Sequence, residues 1–296
     1  MTVELKSMHR GVTGRFPAPQ KSELSGWELD ADQCRHFEKH GYVAGIDLLD
    51  ADQVAELRER LTSVGERLPQ LADRLYEVEQ AWLEHPQTTV LHFLGGWMVD
   101  ELLHDLVFHP GVTVPLAQLL HTPRLRFWHD QVFWKPARHP GVVPWHQDYS
   151  YWTRTGPPAH ISLFIALDDM GPDSGCPDNG GLEFVPGSHR WGLFPAPDFG
   201  GDMDALLEHL SAQQREQFQP RAITLLAGQA SIHHSHLIHG SGGNPSDRPR
   251  RALVLNYVAD GTLVQDDSAP LLAGVKRIPK GDPLDGVHFP LVLDRS

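Results

Sequence analysis

Residues 124–136 read RLRFWHDQVFWKP. Aromatic and apolar side chains alternate with polar ones over most of this run, the two-residue period of a strand with one buried face. Working outward from it, the character of the chain differs on the two sides. Upstream, the apolar spacing is helical over 51–68, 71–85, 98–109 and 114–121, with the last two separated near Pro110. LDADQCRHFEKHG (29–41) predicts a short helix that starts at Asp30 or Asp32 and ends at Gly41, followed by a strand in YVAGIDLL (42–49). Residues 1–28 are polar, contain proline and lack periodicity, so an extended arm is expected. Downstream, short strand-like runs fall at 142–146, 160–167, 182–185, 222–226, 229–233 and 251–258, punctuated by Gly, Pro, Asp and Asn. One helix is expected among them, over 203–217. Helices first and many short strands after describe an α+β fold, mainly β in its core, built as a sandwich or barrel. No repeat or linker divides residues 1–296, so one domain is expected.

The composition, 40% apolar and 21% charged, is that of a globular protein. No apolar run reaches the ~18 residues of a membrane span, and the N-terminal stretch lacks a signal-peptide core, so neither a membrane partner nor export is expected. A net charge of −13 works against nucleic-acid binding, which needs Lys and Arg to neutralise phosphates, yet leaves room for a small anion held by one arginine. Two cysteines, Cys34 and Cys176, make no disulfide framework and suit a reducing cytoplasm. Nineteen histidines decide nothing by number; their spacing has to carry the argument.

That spacing is found in VPWHQDYSYW (143–152). In extended backbone, residues two apart point to one face, so His146 and Asp148 can reach one metal ion. His239, in HLIHGSGGN (236–244), is the best third ligand. Two histidines and a carboxylate leave coordination positions open, as Fe(II) oxygenases require, whereas zinc is satisfied by four ligands. A His-x-Asp pair alone is more often structural. Here Arg250 lies eleven residues beyond His239, at the start of a probable strand, where a guanidinium can hold a carboxylate through two parallel hydrogen bonds. Ser241 can add a hydroxyl donor.

The segments WHQD (145–148), LDDMGPDSG (167–175), FVPGSHR (184–190), HLIHGSGGNPSDRPRRAL (236–253) and, less sharply, FWKP (133–136) resemble the phytanoyl-CoA dioxygenase family of Fe(II)/2-oxoglutarate oxygenases. The resemblance covers about 120–260 and implies a double-stranded β-helix there, a cupin-like jelly roll, with the N-terminal helices packed outside. It implies Fe(II) on His146, Asp148 and His239, and the far carboxylate of 2-oxoglutarate on Arg250 and Ser241. Gln131 stands where the family contacts the co-substrate, and Phe164 where it places a bulky neighbour. Tyr149, Tyr151 and Trp152 follow the ligand pair in a segment that borders the family's substrate pocket, though core packing serves each as well. Lys135 either meets an anion, as a substrate contact, or caps the barrel rim. SGCPDNGG (174–181) carries extra residues relative to the family, so that loop is expected to be reshaped.

Around the ligands, His233, His234 and His236 read as strand alternation with hydrogen bonds to backbone, and His189 as the brace of a turn. Arg251 should face away from Arg250, toward salt bridges or solvent, as should Arg248. The function implied is oxidation, typically hydroxylation, of a C–H bond in a small molecule such as a natural-product intermediate, using O2 and 2-oxoglutarate and releasing succinate and CO2. Asp148 favours this over halogenation, because related halogenases carry a small residue there. The alternative is a non-catalytic cupin-like ligand-binding or sensor protein. A monomer or homodimer is expected.

Overall fold

Asp30 and Asp50 each accept a hydrogen bond from the backbone of a glutamine three residues on, Gln33 and Gln53, whose side chains return to the aspartate N–H. These reciprocal caps start α1 (Ala31–His40) and α2 (Ala51–Glu66). α1 ends where Gly41 takes φ 84°, a left-handed value that a side chain would make costly. The chain then enters β1 (Tyr42–Asp47). α2 buries Val54, Leu57, Leu61 and Val64, one stripe at helical spacing. The computed structural model describes residues 9–18, 20–175, 179–198 and 201–296; Cys176 lies outside them, and Cys34 is a free thiol.

Three helical expectations are corrected. Residues 71–85 do not form one helix. The short α3 (Leu68–Leu71) and a single 3-10 turn lead into β2 (Glu77–Val78), and only Gln80–Glu84 (α4) is helical. The cause is β3 (Leu91–Leu94), which takes the backbone of this stretch into a sheet: Tyr76 N–H donates to Leu94 O and Glu79 N–H to His92 O. Tertiary pairing overrides the local period here. Between 98 and 121 the helices are α5 (Glu101–Leu106), capped by Asp100, and α6 (Pro110–Leu119), which starts four residues before the expected 114 because a proline suits the first turn. The 203–217 helix is split by Ser211, which caps α7 (Ala212–Gln217) after a 3-10 turn at Ala205–His209. The N-terminal arm is partly ordered: Thr13 and Val12 donate to Asp105, and Lys21–Trp27 forms a 3-10 helix that buries Leu24.

The strands that follow are β4 (Arg124–Lys135), β5 (Val143–His146), β6 (Thr155–Gly156), β7 (His160–Ala166), β8 (Glu183–Phe184), β9 (Arg221–Ala222), β10 (Gln229–His234), β11 (His239–Ser241), β12 (Arg250–Ala259), β13 (Leu263–Val264) and β14 (Leu291–Asp294). They form a large antiparallel sheet in the order β1-β10-β7-β12-β4-β3-β2, with β14 also on β4, and a smaller sheet β5-β11-β8-β9. The stretch RLRFWHDQVFWK is β4, near the centre of the large sheet. The main apolar core gathers α2, α5 and α6 against that sheet, with Leu57, Trp97, Leu106, Val112, Phe127, Leu163 and Leu253 almost fully buried. Side chains on the other face meet the smaller sheet, and a second apolar cluster of Phe164, Ala166, Leu182, Phe184 and Val254 joins the two. The candidate site sits beside that cluster.

Candidate active site

His146 ends β5 and His239 opens β11, and the two are direct cross-strand partners in the smaller sheet. Gln147 between His146 and Asp148 is extended (φ −116°, ψ 131°), so the two-apart relation read from the sequence holds even though Asp148 already begins a 3-10 turn. Gln147 is itself pinned, donating to Gly192 O and His236 O and accepting from Phe194 N–H. The two imidazoles are oriented alike. His146 Nδ1 lies 2.8 Å from Pro144 O and His239 Nδ1 2.9 Å from Leu237 O, so both donate there and both turn Nε2 inward. Each Nε2 stands 3.5 Å from Asp148 Oδ1. One ligand atom from each of the three residues falls within 4.8 Å of the others, a fit for one metal ion.

The electrostatics match that use. Burial works against an ionised Asp148, but His239, His146 and His233 around it outweigh burial and hold the carboxyl well below its usual range. Burial first, and His146 next, keep His239 well below its ordinary value, so it presents a neutral nitrogen. A neutral imidazole and an ionised carboxylate are the forms that bind a divalent cation.

The second oxygen of Asp148 is also occupied. Oδ2 accepts from His233 Nε2 at 3.0 Å and from Ser162 Oγ at 2.5 Å. His233 was expected to bond backbone, and the structure corrects that: it sits on β10 opposite Ser162 on β7, and both turn to the carboxylate. For His234 the expectation stands, since its Nδ1 accepts from His236 N–H.

Beside the triad a small cavity is walled by Phe164, Leu182, Val254, Gln131, Ser241 and Arg250. Arg250 is buried, with its guanidinium carbon 5.8 Å from the centre of the Phe164 ring. Its Nε and one terminal nitrogen donate to Gly180 O. Burial brings the guanidinium down to about 10, still protonated at neutral pH. Arg251 faces the other way, as expected, and clasps Asp168 through two nitrogens at 2.9 and 2.7 Å.

Lys135 requires a correction. It is not at the substrate side but fully buried behind the cavity, on β4 opposite Arg250, donating to Ser241 Oγ at 2.7 Å and to Ser241 O and Gly242 O. Because Ser241 Oγ accepts from Lys135, its own proton is available to the cavity. Tyr149 is corrected as well: it is buried in the core, with its hydroxyl donating to Thr155 O, and does not line a cavity.

A larger cavity of about 310 Å3 opens over His146 and Asp148. Tyr151 and Trp152 line it, as expected, together with Gln131, Trp128, His129, His92 and Leu272. Gln131 borders both cavities, with its Oε1 2.9 Å from His92 Nε2. Sequence reading missed Ser162, His129 and the carboxylates Glu77 and Glu79 of this wall. The one available signal was Ser162, a polar residue in the apolar run HISLFIAL.

The family model of phytanoyl-CoA dioxygenase matches residues 37–252. The chain belongs to the phytanoyl-CoA dioxygenase family. As a member it is a 2-oxoglutarate-dependent non-haem iron dioxygenase, with Fe(II) as cofactor and 2-oxoglutarate and O2 as co-substrates. Phytanoyl-CoA dioxygenase 1 of Oryza sativa subsp. japonica is 32% identical over 78% of this chain and 89% of its own length. L-proline trans-4-hydroxylase of Streptomyces griseoviridis is 26% identical over 80% of this chain and 92% of its own. The non-haem α-ketoglutarate-dependent carbocyclase SnoK from nogalamycin biosynthesis superposes with a TM-score of 0.68, at 22% identity, over 93% of this chain and 99% of its own, and so shares the fold. No helix among the described residues is long and apolar enough to cross a membrane.

Proposed function

We propose that this family member oxidises, most simply hydroxylates, a C–H bond of a free small molecule held in the 310 Å3 cavity, with release of succinate and CO2. The observation that carries the reading is the adjoining of three features: an inward-facing His146–Asp148–His239 group, a small cavity closed by Arg250 and Ser241, and a larger one above the ligands. In this reading the three ligands hold Fe(II), which supplies O2 activation when bound. Arg250, the Ser241 hydroxyl and the charge of Lys135 receive the distal carboxylate of 2-oxoglutarate, and a bidentate grip fixes its direction. Phe164 packs beside it, and Gln131 contacts it from the border between the cavities. Tyr151 and Trp152 shield the substrate from water.

The two sheets around the ligands support a double-stranded β-helix over about 120–260, working as one domain with the helices outside. We further place the protein in the cytoplasm, as a monomer or homodimer; the free thiol of Cys34 accords with a reducing compartment. The test is succinate formation from 2-oxoglutarate by the iron-loaded chain, first alone and then with candidate metabolites, with products followed by mass. A gain of one oxygen is expected. No succinate under any condition would return the chain to the ligand-binding alternative.

A further inference from the structure

The wall of the larger cavity opposite the ligands is acidic. Glu77 and Glu79 both line it. They sit two apart on extended backbone anchored to β3, with Val78 between them turned into the apolar core, so both carboxylates share the cavity face. Glu77 forms no ion pair with any described residue. Burial, then the like charge of Glu79, push its carboxyl above the ordinary range.

The cation nearest in sequence to the ligands, Arg154, also borders the cavity but is engaged elsewhere. It donates to the carbonyls of Pro270, Asp266 and Ala269 and stands 3.5 Å from the Asp266 carboxylate. Its work is to pin the segment that carries Leu271 and Leu272 to the cavity. A second observation points to a ligand. His129 is 2% exposed and borders the cavity. Its Nδ1 has Asn256 and Asp130 O as neighbours at 3.3 and 3.4 Å, while its Nε2 has no hydrogen-bond partner. A buried polar atom left open to a cavity calls for a partner there.

We propose that the substrate is a cationic small molecule, its ammonium or guanidinium group held by Glu77 and Glu79 and its apolar body lying against Trp128, Trp152 and Leu272 over the metal ligands. The acidic pair is then a charge filter: it attracts a cation, disfavours a carboxylate at the same place, and sets which end of the substrate lies away from the iron. This rests on the Fe(II)/2-oxoglutarate reading only for the identity of the cavity as the substrate site.

Three indole probes of matched shape test it by calorimetry on the full chain: tryptamine (cation), tryptophol (neutral) and indole-3-propionate (anion). Tryptamine is expected to bind roughly three- to tenfold more tightly than tryptophol, the scale of a half-exposed ion pair, and indole-3-propionate more weakly than both. In Glu77→Gln/Glu79→Gln the tryptamine advantage should vanish, and Glu77→Lys/Glu79→Gln should shift the preference toward indole-3-propionate. Melting temperatures of both variants check that they fold. No tryptamine binding, equal binding of the three probes, or a preference that survives in the glutamine variant overturns the proposal. Succinate formation without probe is scored separately. A chain that forms succinate but shows no amine preference loses this inference alone; one that prefers the amine but forms no succinate loses the dioxygenase reading alone.

Discussion

His233 Nε2 donates to Asp148 Oδ2 at 3.0 Å, and that bond leaves the other carboxylate oxygen, Oδ1, turned to the two ligand histidines. His233 Nδ1 is buried without a partner, so the ring proton belongs on Nε2. With Ser162 on the same oxygen, the carboxylate is fixed for one-atom coordination before any metal arrives.

His233→Leu should therefore weaken metal binding about tenfold, the lower end of what outer-shell partners contribute. Mn(II) titration by magnetic resonance measures it without turnover. His233→Gln keeps a donor and should restore part of the affinity. Unchanged Mn(II) affinity in the leucine variant would show that Ser162 holds the carboxylate alone.

His146→Ala, Asp148→Ala and His239→Ala should each abolish succinate formation while the melting temperature of the metal-free chain stays close to that of the parent. Each removes one of three anchors for a labile cation. Activity retained by any one of them would remove that residue from the ligand set.

Arg250→Lys should not be conservative. It keeps the charge but loses the fork, and a charge-assisted hydrogen bond is worth about 1.5–3 kcal/mol, so apparent 2-oxoglutarate affinity should fall roughly ten- to a hundredfold. Arg251→Lys is the control, because its clasp on Asp168 lies on the opposite face. Titrating 2-oxoglutarate in both variants separates them; equal effects would mean that the carboxylate is held by other groups.

Acid should unfold the metal-free chain early. Burial holds His92 and His109 at about 4 and His129 and His160 at about 3, against an ordinary 6.5. Depressed values mean that the unfolded chain binds more protons. The stability these neutral rings contribute is whole above about pH 6.5 and is lost as pH falls toward the folded values, by about 1.4 kcal/mol per pH unit for each extra proton. Urea midpoints measured at decreasing pH should drop steeply below about pH 6. A flat profile would mean that these rings are protonated in the fold.

The local sequence determined a good deal by itself. Aspartate caps and glycine stops delimit α1 and α2 because a cap is a bond between residues three apart. The strand runs 124–136, 160–167 and 251–258 were legible because burial of one or both sheet faces leaves its mark on every residue. His146 and Asp148 were legible as a pair because extended backbone relates residues two apart, and His239, Ser241 and Arg250 because a resemblance to a known family links their spacing. Tertiary structure alone decided the rest. Residues 71–85 carry a helical period, yet β3 draws part of them into the sheet, a partner fifteen or so residues away that no local window sees. Lys135 and Tyr149 were read as substrate contacts, but strand register turns one behind the co-substrate cavity and the turn after Asp148 sends the other into the core. The pairing of His233 with Asp148, and the arrival of Glu77 and Glu79 opposite the ligands, depend on strands from separate parts of the chain meeting side by side. That meeting is a long-range consequence of burying the sheet faces, and no short stretch of sequence records it.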